Sequence, residues 1–147
     1  MKRSAALASL SRDHHHALVV AQQLRRADAE RAAEARARFL AFWHRHGHRH
    51  FQLEEEILLP GYAAHGDPYH PLVLRVLGDH VAIRERANRL AHGSKPETDA
   101  LHDLGERLAA HVRLEERELF PTIEQAMPPE ALTALAQALE DAEGPTS

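Results

Sequence analysis

Apolar side chains recur along most of the chain at alternating steps of three and four residues, which is the period of an α-helix. One such run is Leu7, Leu10, His14, Ala17, Ala21 and Leu24, and a second run with the same spacing is Val73, Val76, His80, Ile83, Ala87 and Leu90. The alternation that is typical of a β-strand is missing, and the helix-favouring residues Ala, Leu, Arg and Glu dominate. The sequence therefore predicts an all-α protein.

Breaks in this pattern divide the chain into four long helices and one short one. The predicted helices cover about 3–28, 30–59, 68–92, 96–127 and 129–142. Asp67 before Pro68 looks like the N-cap of the third helix, with proline in its first turn. Short links between long helices favour an antiparallel up-down four-helix bundle over about residues 3–127, with a short extra C-terminal helix.

Two segments, on the predicted second and fourth helices, share one motif. Residues 50–60 read HFQLEEEILLP and residues 111–121 read HVRLEERELFP, so both follow H-x-x-x-E-E-x-x-L-x-P. The first and third helices share an Asp-His pair, at residues 13–14 and 79–80. The pattern therefore indicates an internal duplication of a helix pair, in which one helix carries D-H and the other carries H-x-x-x-E-E.

Six polar residues interrupt the apolar stripes at matched depth in the four long helices. They are His14, His50, Glu54, His80, His111 and Glu115. The i, i+4 spacing puts each His–Glu pair on one helix face, and an unpaired imidazole or carboxylate in a core is costly. Four imidazoles and two carboxylates suit a dinuclear site for iron, copper, nickel or zinc. Calcium and magnesium prefer oxygen ligands and fit this set poorly.

Several assignments stay open from the sequence alone. The histidine triplet offers three alternatives on the first helix, and the alignment of the repeat favours His14. Each E-E pair offers two bridging carboxylates, and the repeat favours Glu115 over Glu116. The second glutamates, Glu55 and Glu116, are interpreted mainly as exposed ion pairs. The candidates for an additional ligand or for a contact that supports the ligands are His15, His16, His46, Tyr62 and Glu116.

Gly47 stands inside the predicted second helix, where its counterpart in the repeat is Leu108. A glycine in a helix costs up to about 1 kcal/mol relative to alanine. Two explanations are open: the glycine leaves room for a small ligand near the metals, or it allows close packing beneath Trp43.

Composition narrows the class of protein. The chain has 147 residues, 13 histidines, no cysteine and a formal net charge of −4, and we interpret residues 1–147 as a single domain. The lack of cysteine excludes a disulfide framework and a thiolate metal site, and it fits a cytoplasmic location. No basic block predicts nucleic-acid binding. No segment has the ~18 apolar residues of a membrane span, and the short apolar run near the N-terminus does not predict a signal peptide.

The motifs together resemble the hemerythrin-like, or HHE cation-binding, family. The resemblance covers about residues 5–127 and rests on the two D-H pairs and the two H-x-x-x-E-E segments. It implies a four-helix bundle that holds a non-heme di-iron centre with an oxo or hydroxo bridge, and zinc or manganese as substitutes for iron. Carried over to this chain, the terminal ligands are His14, His50, His80 and His111, and the bridging carboxylates are Glu54 and Glu115.

The chain departs from the oxygen-carrying members that it resembles. Their third helix carries H-x-x-x-H, whereas the second of these positions is Arg84 here. Their fourth helix places the carboxylate five residues after the histidine, whereas both Glu115 and Glu116 follow His111 here. With one histidine fewer, one more coordination position stays open, which favours chemistry or another ligand over reversible dioxygen carriage.

These features lead to one expected function and one alternative. We expect a protein that binds or reduces a small oxidant such as dioxygen, peroxide or nitric oxide, in the manner of a di-iron peroxidase, a catalase-like enzyme or a nitric oxide reductase. The alternative is a sensing or iron-handling module, for example for iron-centre repair, that works without turnover. The expected partner is the small molecule itself, and a homodimer is the candidate assembly.

Overall fold

The computed structural model describes residues 3–94 and 96–143, and within them all secondary structure is helical. The five helices are α1 (Ala5–Arg25), α2 (residues 32–63), α3 (Pro71–His92), α4 (residues 98–126) and α5 (Pro129–Glu143). They pack as a helical bundle, which confirms the all-α prediction. The ends of the predicted domain, residues 1–2 and 144–147, lie outside the described residues.

Among the described helices, none combines the length and the apolar character that crossing a membrane requires.

Wide π-helical turns interrupt α2 and α4, once before the repeated motif of α2 and once inside each copy of the motif. They cover Trp43–Gly47 and Glu54–Leu58 in α2, and Glu115–Leu119 in α4. The N–H of Leu59 donates to the carbonyl of Glu54, and the N–H of Phe120 donates in the same way to Glu115. Such turns are rare and occur frequently at functional sites.

The prolines of the motif lie inside their helices. The sequence predicted that the second helix ends near residue 59, but α2 continues through Pro60 to Ala63. Pro121 lies in the same way within Phe120–Ala126. Each proline lies two residues after the last residue of a wide turn, so it enters the helix where the hydrogen-bond ladder is already shifted.

The start of α3 differs from the prediction. The predicted N-cap at Asp67 is wrong, because the carboxylate of Asp67 accepts from the N–H of Tyr69 in a turn before the helix. The helix begins at Pro71, and Nδ1 of His70 accepts from the N–H of Leu72 at 3.0 Å. Proline fits the first turn of a helix because its missing N–H has no partner there. Both prolines satisfy that rule, so the sequence signal alone did not distinguish them.

The core consists of two apolar clusters, one towards each end of the bundle. The first includes Leu24, Phe39 and Leu101, and the second includes Leu7 and Phe120. Helix α5 covers the second cluster with two buried leucines, Leu135 and Leu139. The level between the two clusters is occupied by polar side chains.

Helix α4 approaches α1 closely at Gly105. A Cβ atom at this position would lie 2.8 Å from the backbone oxygen of Ala21 and 2.7 Å from Cγ of Arg25. Only glycine allows the two backbones to come this near. The close approach brings the polar residues of α1 and α4 to the same level.

Candidate metal centre

Six polar side chains lie buried at one level of the bundle, between the two apolar clusters. They come from α1, α2, α3 and α4, and none exposes more than 6% of its surface. They are His14, His50, Glu54, His80, His111 and Glu115. Each occupies a core-facing position of its helix, so the helical period alone directs the side chain inward. The structure therefore brings together the six residues that the sequence singled out as metal ligands.

Two overlapping sets of four donor residues share the two carboxylates. In the described part of the chain, one set is His14, His50, Glu54 and Glu115, and the other is Glu54, His80, His111 and Glu115. Within each set, one candidate ligand atom of every residue lies within 4.8 Å of the others. Both glutamates therefore belong to both sets, and each histidine belongs to one.

Each shared carboxylate turns one oxygen towards a histidine of each set. Oε1 of Glu115 lies 2.7 Å from Nε2 of His14, and its Oε2 lies 3.2 Å from Nε2 of His111. The corresponding distances are 3.2 Å from Glu54 Oε2 to His50 Nε2 and 3.0 Å from Glu54 Oε1 to His80 Nε2. Each glutamate therefore lies between the two sets, with one carboxylate oxygen towards each.

Four buried polar atoms at this centre face one another in two pairs without the geometry of a hydrogen bond. The pairs are Glu54 Oε1 with His80 Nε2 at 3.0 Å and Glu115 Oε2 with His111 Nε2 at 3.2 Å. A buried group left unsatisfied costs about 1–3 kcal/mol, so a ligand placed between these atoms would compensate that cost. Imidazole nitrogen with carboxylate oxygen is a donor set for a transition-metal ion or zinc. The residues present therefore fit a resident metal cation.

The outer nitrogen of every candidate ligand histidine contacts a second carboxylate. The Nδ1–carboxylate distances are 2.6 Å for His14–Glu116, 3.1 Å for His50–Asp13, 2.6 Å for His80–Glu55 and 3.2 Å for His111–Asp79. An ionised carboxylate can only accept, so Nδ1 carries the proton and donates. Such contacts fix the tautomer and aim the lone pair of Nε2 at the metal.

These outer contacts give the two glutamates of each E-E pair different positions. Glu115 faces the inner atoms of the centre, whereas Glu116 lies at the outer nitrogen of His14. Glu55 does the same for His80, and it also forms an ion pair with Arg84. Sequence reasoning assigned Glu116 as a supporting candidate but missed this role of Glu55. The recurrence of E-E in both copies of the repeat was the available signal.

The two aspartates of the D-H pairs also support ligands, which sequence reasoning missed. Each contacts the histidine of another helix rather than its own neighbour in the chain: Asp13 contacts His50, and Asp79 contacts His111. Their occurrence in both D-H pairs was a signal, but their partners depend on how the helices pack.

The remaining predicted candidates lie outside the donor sets, although His46 lines the small cavity that adjoins the centre. His15, His16 and His46 are exposed. The rings of His16 and His46 are 5.4 Å apart between centroids. Tyr62 is buried within the second apolar cluster and packs against Gly66. None of these four residues belongs to either set of donors.

In the protein without metal, the buried histidines and carboxylates of the centre shift one another's pKa. Burial lowers the pKa of His111, but the charge of Glu115 and the hydrogen bond to Asp79 outweigh burial and raise this pKa to about 10. Burial likewise opposes the neighbouring carboxylates at His14 and His50, and the net pKa is raised at both. Burial raises the pKa of Glu115, but the adjacent histidines bring it well below its usual range. Metal binding must therefore displace protons.

A small, mostly apolar cavity adjoins the centre. Its volume is about 20 Å³, and its lining includes His14, His50 and His111 together with Gly47 and Trp43. About 10–15 Å³ of such volume suffices for one water-sized molecule. A Cβ atom at Gly47 would lie 2.7 Å from Cε3 of Trp43, so the glycine allows this ring to pack against the helix. The geometry supports the packing explanation, and the ligand-room explanation stays a prediction.

Comparison with known proteins adds one finding. A family model described as the hemerythrin HHE cation binding domain matches residues 5–123 of the chain. That range contains all six buried donors and the four carboxylates that support the histidines. No curated protein and no solved structure gives a match.

Proposed function

Because the chain belongs to the hemerythrin HHE cation-binding domain family, we propose that it is a non-heme di-iron protein that binds or reduces a small oxidant. Dioxygen, peroxide and nitric oxide are the candidate oxidants. The four long helices are taken to run up and down in antiparallel order around the centre. Each helix then supplies one ligand histidine, and α2 and α4 each add one bridging glutamate.

One observation carries the proposal: each central glutamate faces a histidine of both donor sets. Oxygen atoms of Glu115 face His14 and His111, and those of Glu54 face His50 and His80. A single cation would use these donors in one set and leave the other unsatisfied. Two cations satisfy both sets, and the shared negative charges offset the repulsion between them.

The residues around the centre support chemistry with a small molecule. When bound, two iron ions supply the electrons with which a small oxidant is reduced. The chain holds each ligand imidazole by its outer nitrogen and surrounds the centre with apolar side chains that exclude bulk water. The cavity of about 20 Å³ beside His14, His50 and His111 has room for about one water-sized molecule, which favours a small oxidant over a larger substrate.

Anaerobic loading with ferrous iron tests the proposal. We expect two iron ions per chain, and then loss of the ferrous state when dioxygen, peroxide or nitric oxide is added in separate experiments. Repeated turnover of one oxidant supports an enzyme, whereas binding in simple stoichiometry without turnover supports the sensing or iron-handling alternative. One iron per chain, with the second set of donors empty after full loading, would overturn the dinuclear proposal.

Parallel loading with zinc and manganese tests the identity of the metal. All three ions are expected to enter the same donors, because each of them takes imidazole or carboxylate ligands in proteins. Only the iron form is expected to react with an oxidant. Equal reactivity of the manganese form would show that iron is not required.

A further inference from the structure

Exposed apolar side chains are concentrated on the outer face of α3. Among the described residues, the exposed large apolar side chains are Val19, Tyr69, Leu74, Leu77 and Val81. Three of these lie on α3 at steps of three and four residues, so they form one stripe along the helix. Val81 is 68% exposed and Leu74 is 52% exposed. Single exposed apolar residues are ordinary, whereas a continuous stripe indicates an interaction surface.

A glycine lies in the middle of this stripe without a reason inside the molecule. Gly78 is in the helix interior, where glycine costs roughly 0.8–1 kcal/mol relative to alanine, and a Cβ atom there would meet nothing within 4 Å. Gly105 shows what such a glycine does elsewhere in the chain, because α1 packs directly against it. Gly78 presents the same feature on a face that no helix of the described chain covers.

We propose that α3 is the interface of a homodimer, in which the α3 helices of two copies pack antiparallel across a two-fold axis between Leu77 and Gly78. This pairing places Leu77 of each copy over Gly78 of the other, and Leu74 opposite Val81. A two-fold interface must be complementary to itself, and this stripe meets the condition because a large side chain and a gap are adjacent at its centre. The inference is independent of the metal and of the proposed function.

Polar groups at the ends of the stripe fit the same register. The two-fold axis brings His70 of one copy opposite Glu85 of the other. Nδ1 of His70 accepts from the N–H of Leu72 at 3.0 Å, so a neutral His70 carries its proton on Nε2 and can donate it outward. The side chain of Glu85 is 49% exposed. Its carboxylate already accepts from Arg89 within the same helix, and its remaining lone pairs can accept from His70 of the other copy. Each end of the helix pair therefore gains one hydrogen bond between copies.

The size of this surface sets the expected affinity. One helix packed against its counterpart buries less than the ~1,200 Å² that marks the lower limit of stable interfaces. We therefore expect a weak dimer with a dissociation constant of roughly 10–100 μM, which corresponds to about −7 to −5.5 kcal/mol. The measurement must extend above that concentration.

Disulfide trapping tests the register directly, because the natural chain has no cysteine. Leu77→Cys places two thiols next to the two-fold axis, and mild oxidation is expected to give a covalent dimer. His70→Cys and Glu85→Cys are expected to cross-link when mixed but not when each is oxidised alone, because each faces the other residue in the partner copy. Val19→Cys, an exposed valine on α1, is the matched control and should stay monomeric.

Sedimentation of the full chain tests the interface without a cross-link. The wild type should shift from the monomer mass of 16.5 kDa to twice that mass as concentration rises. Leu77→Asp should weaken association at least about tenfold, since it brings two carboxylates together at the axis. Gly78→Ala should also weaken association while the monomer stays folded, because its Cβ meets open space in the monomer.

Two outcomes overturn the proposal. One is a wild-type chain that stays monomeric up to several hundred μM. The other is a dimer that neither Leu77→Asp nor Gly78→Ala weakens, with cross-linking of Leu77→Cys no faster than that of Val19→Cys. The circular dichroism and the metal content of each variant, measured in parallel, show that the variants are folded.

Discussion

His14 and His80 occupy equivalent places in the two halves of the repeat. Each contacts a carboxylate through Nδ1 and stacks on a phenylalanine ring, and an arginine contacts both the carboxylate and the ring. Around His80 these groups are Glu55, Phe51 and Arg84, with 3.8 Å between the centroids of the stacked rings. Around His14 they are Glu116, Phe120 and Arg3, with 5.4 Å between the centroids. We call these groups the His80 clamp and the His14 clamp.

The two clamps use the same chemical groups from different places in the sequence. Arg84 lies one helical turn after His80, and the equivalent position after His14 is Leu18. Arg3, which completes the other clamp, lies before the start of α1. The repeat therefore retains the donors and their supporting carboxylates, whereas the packing of the helices supplies the ring and the arginine. The contact is duplicated even where the sequence is not.

Removal of a shared carboxylate should have the largest effect, and the same effect in both halves. In Glu54→Ala or Glu115→Ala, both cation positions lose a ligand at once, because each glutamate belongs to both donor sets. We expect loss of the dinuclear centre, measured as one metal ion or fewer per chain after anaerobic loading. Two ions per chain in either variant would show that the glutamate does not bridge.

Neutralising the carboxylate of either clamp should weaken metal binding by about 10–100-fold, as is typical for groups that orient a ligand histidine. Glu55→Gln and Glu116→Gln remove the charge that accepts from Nδ1 of His80 and His14. Competition with a chelator measures the affinity. Glu56→Gln and Glu118→Gln, at exposed neighbouring positions, are the matched controls. A change in the controls as large as in the clamp variants would point to net charge instead.

The comparison of the clamps also shows how far the sequence could predict this protein. The all-α fold followed from the helical spacing of the apolar positions. The six central residues followed from the rule that a polar residue within an apolar stripe faces the core. The partners of the outer nitrogens did not follow. Asp13 and Asp79 contact histidines on other helices, and Arg3 is far from Glu116 in sequence. These contacts depend on the angle and depth of helix packing, which the helical period does not contain.

The sequence could predict a helix end only where a single capping or proline signal was present and no nearby residue carried a competing one. Asp67-Pro68 and His70-Pro71 carry similar signals a few residues apart, and the structure uses the second. Pro60 and Pro121 predict an end that the wide turns before them remove. A π turn shifts the hydrogen-bond partner by one residue without an apolar pattern of its own, so it could not be predicted from the sequence.

The two halves differ most at Gly47, whose counterpart is Leu108. Gly47→Leu should destabilise the protein by about 1–3 kcal/mol through overpacking, because even its Cβ would lie 2.7 Å from the ring of Trp43. It should also reduce binding of a small ligand by filling the adjoining cavity. Urea unfolding and ligand titration measure the two effects. Unchanged ligand binding would remove the ligand-room explanation. Gly78→Ala, where the added Cβ meets nothing, is the control and should raise the stability by roughly 0.8–1 kcal/mol, because alanine favours the helix more than glycine.

Metal affinity should fall as the pH is lowered below about 10, because the metal must then displace protons from its ligands. Each displaced proton should reduce the affinity by up to about tenfold per pH unit. The carboxylates near His111 raise its pKa to about 10 against burial, so at pH 7 the metal-free protein holds a proton there that a metal must displace. Calorimetry of metal binding in buffers of different ionisation enthalpy counts these protons. Asp79→Asn should reduce the count, because it removes one cause of the raised pKa. A count of zero would contradict the assignment of His111.

The same shift sets the pH dependence of stability without metal. The folded-state pKa of His111 lies above its ordinary value of 6.5. Its contribution is therefore complete below pH 6.5 and is lost as the pH rises through about 10. Glu115 has the opposite sign, because its lowered pKa stabilises the fold above its ordinary 4.5 and this contribution is lost on acidification. Urea unfolding of the metal-free protein across this range should show a maximum between the two losses.

The arginines should give the smallest effect, and the one that separates the two clamps. Arg84 contacts both oxygens of Glu55 at 2.9 Å, whereas Glu116 accepts from Ser11 at 2.7 Å in addition to its contact with Arg3. Partly exposed ion pairs contribute about 1 kcal/mol or less, which corresponds to a change in metal affinity of a few-fold.

Arg84→Gln should therefore weaken metal binding by a few-fold, and Arg3→Gln by less, because Ser11 still holds Glu116 after Arg3 is lost. The double variant Arg3→Gln with Ser11→Ala removes this second support and should bring the His14 clamp to the level of Arg84→Gln. Chelator competition on all three variants measures the order. An Arg3→Gln effect equal to that of Arg84→Gln, with no further loss in the double variant, would show that the hydroxyl does not account for the difference between the clamps.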